Sequence, residues 1–125
     1  MPGFIPHFIA GNAMFLIGSY FIQKYTSILY NHQNKIFLYI VCILSSIIPD
    51  FPLGFFYLFN FGTFESLVSY HAQLHLIISP LATISFIILA NLNAIKKQPI
   101  WIIGLLCIFL HIFMDATIHE IGVWF

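Results

Sequence analysis

IWIIGLLCIFLHIFMDATIHEIGV, residues 100–123, decides how the rest of the chain is read. From Ile100 to Leu110 nothing is charged, and the whole stretch 100–123 is long enough to cross a hydrocarbon layer about 30 Å thick as a helix. Into this apolar stretch the sequence places His111 and Asp115. A spacing of four puts both side chains on one helical face, one turn apart. An imidazole nitrogen and a carboxylate oxygen then reach the same point. In a membrane helix such ionisable groups are costly, and are usually paired or functional.

Working outward, three more apolar runs appear. The first covers about residues 8–30, and the polar connector Asn31 to Lys35 follows it. The second, about 36–49, stops at Pro49-Asp50-Phe51-Pro52, because the residue before a proline disfavours the α conformation. The third covers about 66–92, with Pro80 inside it expected to bend the helix and free a carbonyl near Leu76. Between the second and third runs, Phe51 to Phe64 is rich in aromatics and holds two glycines. It reads as an interfacial segment. The expectation is an all-α, integral membrane four-helix bundle with one interfacial aromatic segment, residues 1–125 forming a single transmembrane domain.

Composition supports this. Of 125 residues, 61% are hydrophobic and 6% charged, against about a quarter charged in a soluble domain. Net charge is zero with no basic run, which argues against nucleic-acid binding. Cys42 and Cys107 lie in apolar stretches and read as small hydrophobes on lipid-facing helices. No Lys or Arg precedes the first apolar run, so that helix is expected to remain in the mature protein.

Charge is sorted by face. Alternating the direction of four spans puts Lys24, Lys35, Lys96 and Lys97 at one membrane face. Asp50, Glu65, Asp115 and Glu120 fall at the other, with His7, His71, His75, His111 and His119. Independent placement of eight charges would sort this completely about once in a hundred trials. The positive-inside rule then makes the lysine loops cytoplasmic. The chain is expected in the inner (cytoplasmic) membrane, with both termini and the acid/histidine cluster extracytoplasmic.

Depth narrows the set. At about 1.5 Å per residue, His7 lies about 26 Å from Lys24, Asp50 about 22 Å from Lys35, and Asp115 about 27 Å from Lys97. His75 is about 31 Å from Lys96 and His71 about 37 Å, so depth favours His75, with His71 as its alternative. His7, Asp50, His75 and Asp115 thus share one thin layer. Mixed imidazole and carboxylate donors suit zinc, manganese or iron better than magnesium or calcium. Glu65 reads as an N-terminal helix charge, His32 as a loop residue, and His119 with Glu120 as an interfacial end.

The blocks MPGFIPHFIAGNAMF, SSIIPDFPLG, LHLIISP and HIFMDATIHEIG resemble, in order, those of the membrane-bound metal-dependent hydrolases, small inner-membrane proteins of which some are LexA-regulated. The order His, Pro-Asp, His, HxxxD also resembles that of zinc-dependent phospholipases C and single-strand nucleases. The resemblance implies His7, Asp50, His75, His111 and Asp115 as metal ligands. Departures bear on the metal count: Pro52 stands where the family has a second acid, His71-Ala72 where it has His-Arg one residue earlier, and no later HxxxE follows. A single divalent ion, zinc first, is therefore expected.

The reading that results is a metal-dependent hydrolase acting on a phosphate ester or lipid, with His7 as added ligand or general base and Asp50 as ligand and catalytic carboxylate. Membrane lipid is its expected surrounding and a lipid its expected substrate class. A homodimer would help to enclose the site. Two other classes compete: a proton- or ion-relay subunit, which should spread ionisable groups through the membrane depth, and a scaffold whose polar layer only locks the helices together.

Overall fold

In a computed structural model, residues 4–27, 31–51, 58–59, 63–92 and 97–117 are described. They form four helices: α1 (Phe4–Tyr25), α2 (His32–Ile47), α3 (Phe64–Leu92) and α4 (Gln98–Thr117), with a 3-10 turn, Ile48–Asp50, continuing α2. The all-α four-helix architecture is as expected. Three helices are long and apolar enough to cross a membrane: Ile5–Tyr25, Ser69–Leu92 and Gln98–Thr117. The chain is therefore a multi-pass membrane protein. Most of segment 51–64, the proposed interfacial stretch, lies outside the described residues. Within it Phe51, Leu58, Phe59 and Thr63 are exposed.

The helix ends differ from expectation for local reasons. α1 starts at Phe4 rather than near residue 8, because Pro6 sits in the first turn, where its missing N–H has no role. His7 is thereby a helix residue, not part of a leading segment. α2 starts at His32 rather than near 36. Asn31 caps it, its side chain accepting from the Gln33 N–H at 2.9 Å, so the polar connector is the cap and first turn. At α3, the Thr63 hydroxyl accepts from the Ser66 N–H, and the side chain of Glu65, read as an N-terminal helix charge, lies outside those described. The helical run continues unbroken through Pro80.

α4 is the hub, packing on α1, α2 and α3, while α1 packs along α2 and α3 leans on the 3-10 turn. The core holds Ile22, Leu38, Val41, Cys42, Phe86, Ile100, Cys107 and Ile108. Large apolar side chains also cover the outside, Leu76, Leu81 and Ile84 among them on α3. Such a surface has lipid as its solvent. Polar residues on it satisfy themselves internally: the side chains of Asn12, Ser85, Asn91 and Thr117 each donate to the carbonyl four residues earlier.

Close helix approach depends on Gly104. A Cβ there would meet the Phe86 ring and lie 2.7 Å from Val41 Cγ1, so α2, α3 and α4 meet at a point with no room for a methyl group. The Gly104→Val variant is expected to lose about 1–3 kcal/mol of bundle stability through this overpacking. Denaturant unfolding in detergent checks it, and an unchanged midpoint would show the contact to be soft.

Cys42 and Cys107 are free and only 0% and 1% exposed, packed as small hydrophobes in the core between α2 and α4.

Candidate metal centre

One end of the bundle gathers ionisable side chains from all four helical segments. α1 supplies His7, the 3-10 turn Asp50, α3 His71 and His75, and α4 His111 and Asp115. α2, at 16 residues, is shorter than its neighbours. Pro49 tightens its end into the 3-10 turn, which swings Asp50 inward among the other helices instead of out toward water. Lys24 ends α1, Lys35 begins α2 and Lys97 precedes α4, so these lysines sit at the helix ends remote from the cluster.

Two carboxylates organise the centre. Asp50 Oδ1 lies 2.7 Å from His71 Nε2, 3.3 Å from His75 Nε2 and 3.6 Å from His111 Nε2. Its Oδ2 is 3.5 Å from His7 Nε2. Asp115 Oδ1 is 3.1 Å from His7 Nε2, and its Oδ2 is 3.3 Å from His75 Nε2 and 3.1 Å from His111 Nε2. The rings stack as well, with His7 and His111 centroids 3.9 Å apart. Donor atoms within 4.8 Å of one another form two overlapping groups: Asp50, His71, His75 and Asp115, and His7, His111 and Asp115. Asp115 belongs to both.

His111 carries the test of whether a cation fits. Its Nδ1–H donates to the Ser46 carbonyl at 2.8 Å, which leaves Nε2 of a neutral ring as a bare lone pair. That nitrogen is buried without a hydrogen-bond partner, and so is Asp115 Oδ2 beside it. Two acceptors held 3.1 Å apart repel unless a positive charge joins them. The totals agree: two carboxylates with neutral imidazoles make a double negative charge in a low-dielectric layer. A divalent cation balances it where water cannot. The donor set therefore fits a divalent metal ion.

The structure brings together His7, Asp50, His75 and Asp115, which helical depth had put in one layer, and adds His111, which came from its spacing to Asp115. His71, given only as an alternative to His75, joins Asp50 together with it. Counting along a straight axis placed these two histidines at different depths, yet adjacent turns of α3 straddle a carboxylate lying between them. The spacing of four between His71 and His75, the same as in the His111–Asp115 pair, was the available signal. The Ser46 carbonyl had none, since a backbone group leaves no mark in the residue pattern. His32 is exposed at the start of α2, while His119 and Glu120 lie outside the described residues.

Access is uneven. The side chains of His7, Asp50, His71 and His111 are at most 6% exposed, whereas His75 and Asp115 keep 16% and 12%. The cluster thus opens along the edge these two share. No family model matches the chain, nor does any curated protein or solved structure, so what stands is a membrane-spanning helical protein with a buried His/Asp cluster able to coordinate a metal, resting on its own geometry.

Proposed function

We propose that the protein is a membrane-embedded metal-dependent hydrolase whose centre lies at the extracytoplasmic face and acts on a phosphate ester carried by a lipid. The observation that carries this reading is the pair of unpartnered acceptors, His111 Nε2 and Asp115 Oδ2, facing each other inside a ring of imidazoles. Asp50, His75, His111 and Asp115 would hold the ion, with His71 completing the Asp50 group. Zinc is the first candidate, from the nitrogen and oxygen donors. Once bound, a divalent ion supplies Lewis acidity and an activated water at neutral pH.

The chain's own residues do the rest. Asp50 holds His71 and His75 in one orientation. His7, outside the Asp50 group but 3.5 Å from Asp50 Oδ2, is placed to take the proton of the attacking water. The edge at His75 and Asp115 leaves a position for water and for a phosphoryl oxygen. The lipid substrate class follows from location, since apolar side chains surround the helices that carry the centre. The lysine ends mark the cytoplasmic side. A relay would need acidic and imidazole groups at other depths, and the buried aspartates and histidines among the described residues all belong to this one layer.

Elemental analysis of the detergent-purified protein tests the reading directly. Stoichiometric zinc, manganese or iron is expected in the wild type, with most of it absent from Asp115→Ala. Phosphate release from phospholipid in mixed micelles should stop on chelation and return with the metal. A metal-free protein that also failed to take up zinc from buffer would overturn the proposal.

A further inference from the structure

Cys42 and Cys107 lie outside the metal centre and are not used by it. Both are free and fully buried, on helices that pack together. Both helices run toward the metal centre and pack side by side, so the two thiols fall at one level of that packing. Packing alone asks for small apolar residues at such positions. It does not ask for two sulfurs.

Their register is the second observation. Cys107 precedes His111 by four residues on α4, and Cys42 precedes Ser46 by four on α2. Each sulfur therefore sits one turn away, on the same face, from one partner of the His111–Ser46 hydrogen bond. Ser46 is held on its other side as well, because a Cβ at Gly11 would lie 2.9 Å from the Ser46 hydroxyl and 3.2 Å from the Cys42 carbonyl. A displacement at the sulfurs has little slack to absorb it before it reaches His111.

We propose that Cys42 and Cys107 form a redox pair whose oxidation to a disulfide pins α2 to α4 and shifts His111 out of its ligand position. The oxidant is a small uncharged peroxide, the class able to enter a dry apolar interior. One sulfur attacks a peroxide oxygen, giving a sulfenic acid and releasing water. The second sulfur then attacks the first, forming the S–S bond and releasing a second water. Two thiols lose two electrons and two protons in total, and the peroxide is reduced to two waters. Closing the two sulfurs to a bond draws the two helix faces together at that level, while the groups one turn on are held by Gly11 and by the ligand layer. The coupling to metal rests on the function proposed above. The disulfide itself does not.

The test uses the full chain in detergent, reduced, loaded with zinc and then treated with hydrogen peroxide. Both thiols should vanish together from maleimide tagging of the denatured protein, with the intact mass lower by two hydrogens. Zinc affinity should fall about 10- to 100-fold, the effect of disturbing a ligand's outer partner, and reductant should restore it. The His111 Nδ1–H resonance, followed by NMR without metal, should move on oxidation. Cys42→Ser/Cys107→Ser should keep its zinc under peroxide. Thiols that persist, or that oxidise singly without cross-linking, overturn the pair. A cross-link that leaves the His111 resonance and zinc affinity unchanged overturns the coupling. A protein that cross-links and moves His111 but never binds metal sinks the hydrolase reading while the redox pair survives.

Discussion

Purified in detergent, Asp50→Ala is expected to retain no stoichiometric transition metal, with affinity for added zinc down by more than about 100-fold and phosphoesterase activity lost with it. Asp50 is the residue on which the site converges, since its two oxygens approach His7, His71, His75 and His111, contributed by three different helices. Asp115 cannot replace it. Asp115 is one turn from His111 on the same helix and has no ion-pair contact with His71 among those within 4 Å. Removing the Asp50 carboxylate leaves His71 Nε2 buried with no carboxylate oxygen within 4 Å among the described residues, so stability should fall as well. Asp50→Asn separates the two losses. It preserves shape and a hydrogen-bond acceptor for the imidazoles, so the bundle should hold while the metal is lost. If the wild type carried metal and Asp50→Asn kept it at full occupancy, the cation would have to rest on the His7, His111 and Asp115 group instead.

A scaffold, the competing reading, gives a different pattern in the same experiment. A polar layer that only locks helices together should lose stability with Asp50→Asn, because the amide cannot satisfy several imidazoles as the carboxylate does. Interhelical polar contacts inside membranes average only about 0.6 kcal/mol each. A ring of six ionisable side chains is a large commitment to so small a return. In a scaffold the 3.1 Å contact of His111 with Asp115 would have to be held by a proton on the imidazole. A metal ion takes that proton's place, so metal content separates the two readings alongside stability.

The number and character of the helices were legible because the apolar runs are long and broken by few polar or proline-bearing segments. The common level of His7, Asp50, His75 and Asp115 could be read by measuring each run from its lysine end, because a helix rises uniformly, and His111 by its spacing of four from Asp115. Rotation about the helix axis could not. α1, α3 and α4 are apolar nearly all round, so no stripe marks which side meets a neighbour. That is why the burial of Cys107 against a neighbour was not legible, whereas His71 was set behind His75 by depth counted along a straight axis. Close approaches were equally silent. Gly11 and Gly18 look alike in sequence, yet Gly11 lies against the Cys42 carbonyl of α2, and Gly18 only against the Ile103 side chain. A flexible side chain can give way where a backbone oxygen cannot.

Gly11→Val is expected to have the largest effect of any change outside the ligand set. Gly11 is one turn after His7 on the same buried face of α1. A Cβ would meet the Ser46 hydroxyl at 2.9 Å and the Cys42 carbonyl at 3.2 Å, and the second of these is backbone. Valine must therefore push α1 off α2 at the level where His7 enters the site. A displacement of about 1 Å would lengthen the His7–Asp115 approach beyond ion-pair range and strain the Ser46 carbonyl that orients His111. The expected loss is about 1–3 kcal/mol of stability, together with a marked fall in zinc affinity. Gly11→Ala is the graded version, because the Ser46 hydroxyl can rotate aside while the Cys42 carbonyl and the Ser46 Cβ, each 3.2 Å away, must yield. Adding Ser46→Ala to Gly11→Ala should recover part of the loss, and the double-mutant cycle should show positive coupling between neighbours in contact. Zinc affinity and unfolding midpoint measured on all four proteins decide it. If the two losses simply add, α1 and α2 are not pressed together at Ser46, and His7 is positioned by something other than this contact.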